Sequence, residues 1–166
     1  MALLNILTST LNGLPREIAV VITAMFPFAE LRGAIPLALG LYKMDPIEAY
    51  ILAVTGNIIP VVPLLLFLEP VEQRLRRFGI FDSFFDWLFI RTHARTNEKI
   101  QKYGPIGLVP FVAIPLPVTG AWTGVAASYV FGLKFKHAFP AILLGVMIAG
   151  IIVTLASLGT IHVWFI

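Results

Sequence analysis

The chain has 166 residues, 58% of them hydrophobic and 13% charged, with a formal net charge of +3. Soluble domains are about 45–50% apolar and a quarter charged, so the composition excludes an ordinary soluble enzyme. It contains no cysteine, which excludes disulfides, thiolate metal sites and cysteine nucleophiles.

Residues Met1 to Leu14 carry no basic n-region and no small-residue cleavage pattern, so no signal peptide is expected. Leu3, Leu4, Leu7 and Leu11 predict a short interfacial helix over residues 1–14, ending near Gly13, with Pro15 suited to open the next helix. Ile18–Ala29 and Ala34–Tyr42 are apolar, and Glu30-Leu31-Arg32-Gly33 separates them. Neither piece reaches the about 20 residues that one bilayer crossing needs. The pattern predicts two half-helices that dip into the membrane and return. Ala49–Leu68 follows with 20 uncharged residues, enough for one crossing, and holds Gly56-Asn57, Pro60 and Pro63.

Twelve of the 21 charged residues fall in the 34-residue stretch from Glu69 to Lys102. Phe81, Phe84, Phe85, Leu88 and Phe89 recur there at helical spacing, which predicts an amphipathic helix in the membrane interface. Glu69–Phe78 predicts an elbow helix whose Arg74, Arg76 and Arg77 face anionic headgroups. Tyr103–Leu133 then gives 31 uncharged residues. A straight helix of that length would measure roughly 46 Å, more than the hydrocarbon core of about 30 Å. Pro105, Pro110, Pro115, Pro117, Gly120 and Gly124 break it, so a second pair of half-helices is expected around the Pro115–Gly120 tip. Ala138–Ile166, 29 uncharged residues, supplies the second crossing.

The same plan therefore occurs twice. Gly33-Ala34 and Tyr42 match Gly120-Ala121 and Tyr129 at a spacing of 87 residues, while Ala49 and Gly56 match Ala138 and Gly145 at 89. The expected architecture is an all-α integral membrane domain spanning 1–166. Repeat 1 covers 15–68 and repeat 2 covers 103–166, each a re-entrant helical hairpin plus one transmembrane helix. Interfacial amphipathic helices in the 69–102 linker join them. One crossing per half makes the repeats inverted. Nine Lys and Arg residues, from Arg74 to Lys136, then lie on the linker side, against Arg16 and Lys43 on the other. The positive-inside rule makes the linker cytoplasmic and puts both termini outside, in a multi-pass protein of the cell membrane.

Glu30 and Arg32 carry the most chemical information. Ionisable residues inside a bilayer are costly and are functional by default. Residues two apart on a helix do not face each other, which argues against a simple structural ion pair. Two readings stay open: a pair that closes the turn, or Glu30 exchanging a proton or cation while Arg32 steers an anionic group. The returning half-helices start near Gly33 and Gly120 and would aim free N–H groups at the midplane, with Thr119 placed to cap the second. Gly33, Gly120 and Gly124 allow close approach of a ligand or of another helix. Asn57 could line a pathway or bond between helices. Trp122 and Thr123 could gate a cavity or pack, and Tyr42, Tyr103 and Tyr129 read as interfacial anchors. The binding set is thus Glu30, Arg32, Gly33, Asn57, Thr119, Gly120, Trp122 and Thr123. No catalytic or metal residue is expected, since His93, His137 and His162 are scattered and no nucleophile elbow or nucleotide-binding loop occurs. No cofactor and no nucleic acid is expected.

Glu30-Leu31-Arg32-Gly33-Ala34-Ile35-Pro36-Leu37 and the run from Ala113 through Pro115-Leu116-Pro117-Val118-Thr119-Gly120 to Gly124 resemble the two signatures of the small multidrug export protein family. Gly56-Asn57-Ile58-Ile59-Pro60 and Tyr103-Gly104-Pro105-Ile106-Gly107-Leu108 resemble it too, so the likeness covers nearly the whole chain. In plan the family is similar to the broader DedA (VTT, SNARE-associated) membrane proteins, which pair two facing re-entrant hairpins. That resemblance implies a secondary transporter or lipid flippase, proton- or ion-coupled, moving an anionic or amphipathic substrate such as a polyprenyl-phosphate or phospholipid. The alternatives are a small multidrug or cation exporter and a non-transporting membrane scaffold. The wider group carries arginines in its second hairpin, whereas none lies between Lys102 and Lys134 here. Arg32 and the helix N-termini would then supply the positive field alone. Two such short halves enclose little volume, so a homo-oligomer, a dimer, is expected in contact with membrane lipid.

Overall fold

The computed structural model describes residues 14–67, 104–114 and 119–164. The interfacial helix expected over residues 1–14 (all but Leu14), the amphipathic linker 69–102, Tyr103 and the 115–118 part of the second tip lie outside the described residues. Every described element is helical, and no strand occurs among the described residues.

Helix α1 covers Arg16–Met25 and buries Ala19, Val20, Thr23 and Ala24, none larger than valine, along one stripe. It stops because Pro27 holds Phe26 in an extended backbone, ψ 135°. The Phe26 carbonyl then accepts from the Ala29 and Glu30 amides at 3.2 and 2.9 Å, and α2 (Glu30–Pro36) begins. The break therefore falls at Phe26–Ala29, before the expected Glu30-Leu31-Arg32-Gly33 interruption. Pro27 makes it, and the charged residues sit in the first turn of α2. Pro36 has no amide hydrogen, and the chain continues past it as one wider π turn, Leu37–Leu41.

Asp45 starts the first long helix. Its Oδ1 accepts from the Ile47 and Glu48 amides at 2.9 and 3.4 Å, and Pro46 takes the first position, where no donor is needed. α3 (Pro46–Ile58) passes a turn at Ile59 and Pro60 and stays helical to Phe67. Those 22 residues would measure about 33 Å.

In the second half a 3-10 turn, Gly104–Gly107, leads into α4 (Leu108–Ala113). Ile114 is extended, ψ 114°, as the residue before Pro115 should be. α5 (Ala121–Val130) ends in a Schellman motif. The Leu133 amide bonds Ser128 O at 2.8 Å, the Gly132 amide bonds Tyr129 O at 3.0 Å, and Gly132 takes φ 62°. α6 (Phe135–Trp164) is the second long helix, apolar over the 26 residues Phe135–Thr160.

α1 lies along α3, and α4 lies along α6, with a glycine at each crossing. A Cβ on Gly56 would stand 2.5 Å from Val21 O, and one on Gly145 would stand 2.6 Å from Val112 Cβ and 3.0 Å from Val109 O. These are the two glycines matched at a spacing of 89 in the sequence. α6 also meets α2, α3 and α5 and forms the spine of the fold. Val20, Ile35, Leu108, Val112, Val125, Ile142 and Val146 fill the core. Outside, Ile47, Ile51, Leu66 and Phe67 on one long helix and Leu144, Ile151 and Leu155 on the other stand exposed. Water penalises such a surface and lipid does not.

Candidate functional site

The two broken regions touch. Glu30 opens α2 with φ 45°, a left-handed backbone that a glutamate rarely takes. Its carboxylate is buried and lies against Gly120, where any Cβ would collide with it. Gly120 itself has φ 135°, a conformation reserved in practice for glycine. The Trp122 backbone N–H, in the first turn of α5, donates to the Glu30 carboxylate. The second pair, which has no charged residue of its own at this point, thus meets the anion with the positive end of a helix.

Arg32 Nη2 lies 3.6 Å from Glu30 Oε2 and donates at 2.9 Å to Thr119 O. The ion pair that the two-residue spacing argued against is therefore present. The spacing rule assumes a regular helix, and the positive φ at Glu30 turns its side chain off that path. Thr119 also differs from expectation. Its Oγ1 donates back to Ile114 O at 2.7 Å, which ties the broken segment together, while Gly120 occupies the capping position of α5 without a side-chain cap. Trp122 Nε1 donates across to Met25 O at 3.2 Å, at the end of α1.

Asn57 comes to the same place from α3. Its Nδ2 donates to Ala24 O at 3.1 Å, so the interhelical bond is made, while Oδ1 is buried without a partner. A lone buried acceptor costs about 1–3 kcal/mol. Glu30, Arg32, Asn57, Thr119 and Gly120, with Val112, Val146 and Val153, line a small cavity with about 10 Å³ for the centre of a water-sized body. Gly33 and Thr123 are not part of this lining. Gly33 faces Ala29 within its own turn, and Thr123 Oγ1 bonds Gly120 O at 3.2 Å. Tyr42 packs on the core.

Arg32 and Val153 also border a second space, an apolar groove of about 400 Å³ between the Pro36–Gly40 turn and Ala156, Ser157 and Thr160 of α6. The α6 residues were not singled out in the sequence. Their signal was present, since Ala149, Val153, Ala156 and Thr160 recur at helical spacing as a stripe of small residues. Among the described residues no group of three His, Asp or Glu side chains could hold a metal ion.

Two long apolar helices with exposed apolar outer faces are candidate membrane spans in an all-helical chain. Over residues 30–152 the chain matches the family model of the small multi-drug export proteins, and it belongs to that family. No curated protein and no solved structure matches it.

Proposed function

We propose that the chain is a secondary transporter of the cell membrane, in which two re-entrant hairpins enter from opposite faces and meet at Glu30 and Gly120. One crossing helix per hairpin makes the halves inverted repeats, the arrangement that places a substrate site at the midplane. The basic linker 69–102 lies in the cytoplasm. The substrate is an anionic or amphipathic molecule, a polyprenyl-phosphate or phospholipid foremost, exchanged for a proton or coupling cation. The chain works as a homodimer in contact with membrane lipid and performs no catalysis.

The observation that carries this reading is the position of Arg32. It holds the Glu30 carboxylate on one side and borders the apolar groove on the other. A substrate head drawn to Arg32 from the groove would compete with Glu30 for the guanidinium, so binding of substrate and release of the coupling ion are linked through one side chain. The membrane makes such a buried pair costly without a use.

Purified protein in liposomes tests this. Fluorescent phosphatidylglycerol reports lipid movement, and ethidium reports the cationic-drug alternative that the family name favours. Glu30→Gln should abolish the dependence of flux on an imposed pH gradient; flux equal to wild type at every gradient would remove the coupling role. A scaffold reading predicts instead no flux of either probe. It also predicts that the swap combining Glu30→Arg with Arg32→Glu restores folding in full.

A further inference from the structure

The cavity beside Glu30 has properties that the transport reading does not use. It is small and only partly open, it accommodates about one water-sized body, and two buried polar side chains face it from different helices. The Asn57 amide is oriented by its bond to Ala24 O, because the flipped amide would set two acceptors against each other. Oδ1 therefore points away from α1 with no partner. A buried carbonyl-type oxygen, a carboxylate and room for one molecule are the conditions under which a structural water binds.

We propose that this cavity binds a single water molecule, hydrogen-bonded to Asn57 Oδ1 and the Glu30 carboxylate, and that Glu30 gains and loses its proton through it. The water donates one hydrogen to each oxygen when Glu30 is ionised. When Glu30 is protonated, its O–H donates to the water oxygen and the water keeps its bond to Asn57. In the exchange step the Glu30 O–H bond breaks and its proton joins the water. The hydronium so formed passes one proton to water beyond the cavity, leaving a carboxylate and a neutral water behind. The inference deepens the transport reading by naming the coupling ion. A hard cation gathers about six oxygens, whereas this cavity offers few side-chain oxygens and sits against the guanidinium of Arg32. A neutral water needs neither a full oxygen shell nor a compensating charge.

The proposal rests on the transport reading for its purpose, and its test uses no substrate, so the two can fail separately. Infrared difference spectra of the protein in lipid, between acidic and alkaline buffer, should show a carboxylic acid band that disappears in Glu30→Gln. Asn57→Leu removes the acceptor, and Val146→Ile fills the cavity while leaving every polar group in place. Each should move the band to higher frequency and slow its hydrogen–deuterium exchange about tenfold, the scale of one lost hydrogen bond. Replacing potassium with sodium should leave the wild-type spectrum unchanged. An unchanged band in both variants, a sodium-dependent shift, or the absence of any Glu30 band would each overturn the water site. Liposome flux that persists in those cases would leave the transport reading standing.

Discussion

The two short helix pairs meet at one point and bring opposite kinds of chemistry to it. The first, α1 and α2, supplies two ionisable side chains, Glu30 and Arg32. Among the described residues the second, α4 and α5, meets these two side chains with backbone: the Thr119 carbonyl to Arg32, the Trp122 amide to Glu30, and the bare Gly120 against the carboxylate. A low-dielectric interior makes such dipoles effective, so a neutral loop can complement an ion pair without carrying charge. Charge sits on one side of the contact and shape on the other.

Four substitutions probe that division and the likeness of the two halves, from the largest expected effect to the smallest. Gly120→Ala pushes a methyl group into the Glu30 carboxylate and strains a left-handed backbone, which together should destabilise by about 2–4 kcal/mol. Unfolding by detergent titration would measure it. If the clash dominates, Glu30→Ala in the same chain recovers more than half of the loss; no recovery would mean that the backbone conformation alone matters. Gly56→Ala and Gly145→Ala disturb the two long-helix crossings, each by about 1–3 kcal/mol. Near-equal values would sharpen the likeness between the halves, and a gap above about 1.5 kcal/mol, more than a tenfold difference, would break it. Trp122→Phe keeps the ring but loses the bond to Met25 O, and should weaken the fold by about 1 kcal/mol while leaving the Glu30 carboxylic band in place. A vanished band would show that the indole, and not only the Trp122 backbone, holds the carboxylate.

Much of this was legible in the residues. Uncharged run lengths placed both long helices, and Pro115 to Gly120 marked the second break. Gly56 and Gly145 were paired before their packing was known, and both proved to be points of backbone approach. The first break precedes the charges that mark it in the sequence, because Pro27 has a stronger local effect on the backbone than Glu30 or Arg32. The Glu30–Arg32 contact was argued against because a positive φ at a glutamate has no sequence signature and comes from tertiary contact. Thr119 was assigned to a cap by type, yet its hydroxyl had a nearer acceptor in Ile114 O. Bonds such as Trp122 to Met25 and Arg32 to Thr119 join residues 97 and 87 apart, and no local pattern announces them.

The glycine crossings have a mechanical consequence. Gly56 lets α1 pack on α3, and Gly145 lets α4 pack on α6, closer than a side chain at either point would allow. A rearrangement that preserves both packings carries each couple as one block and places movement along the seam between them. That seam runs past Glu30, Gly120 and Trp122, so such a movement would act directly on the contact between the acid and the second helix pair.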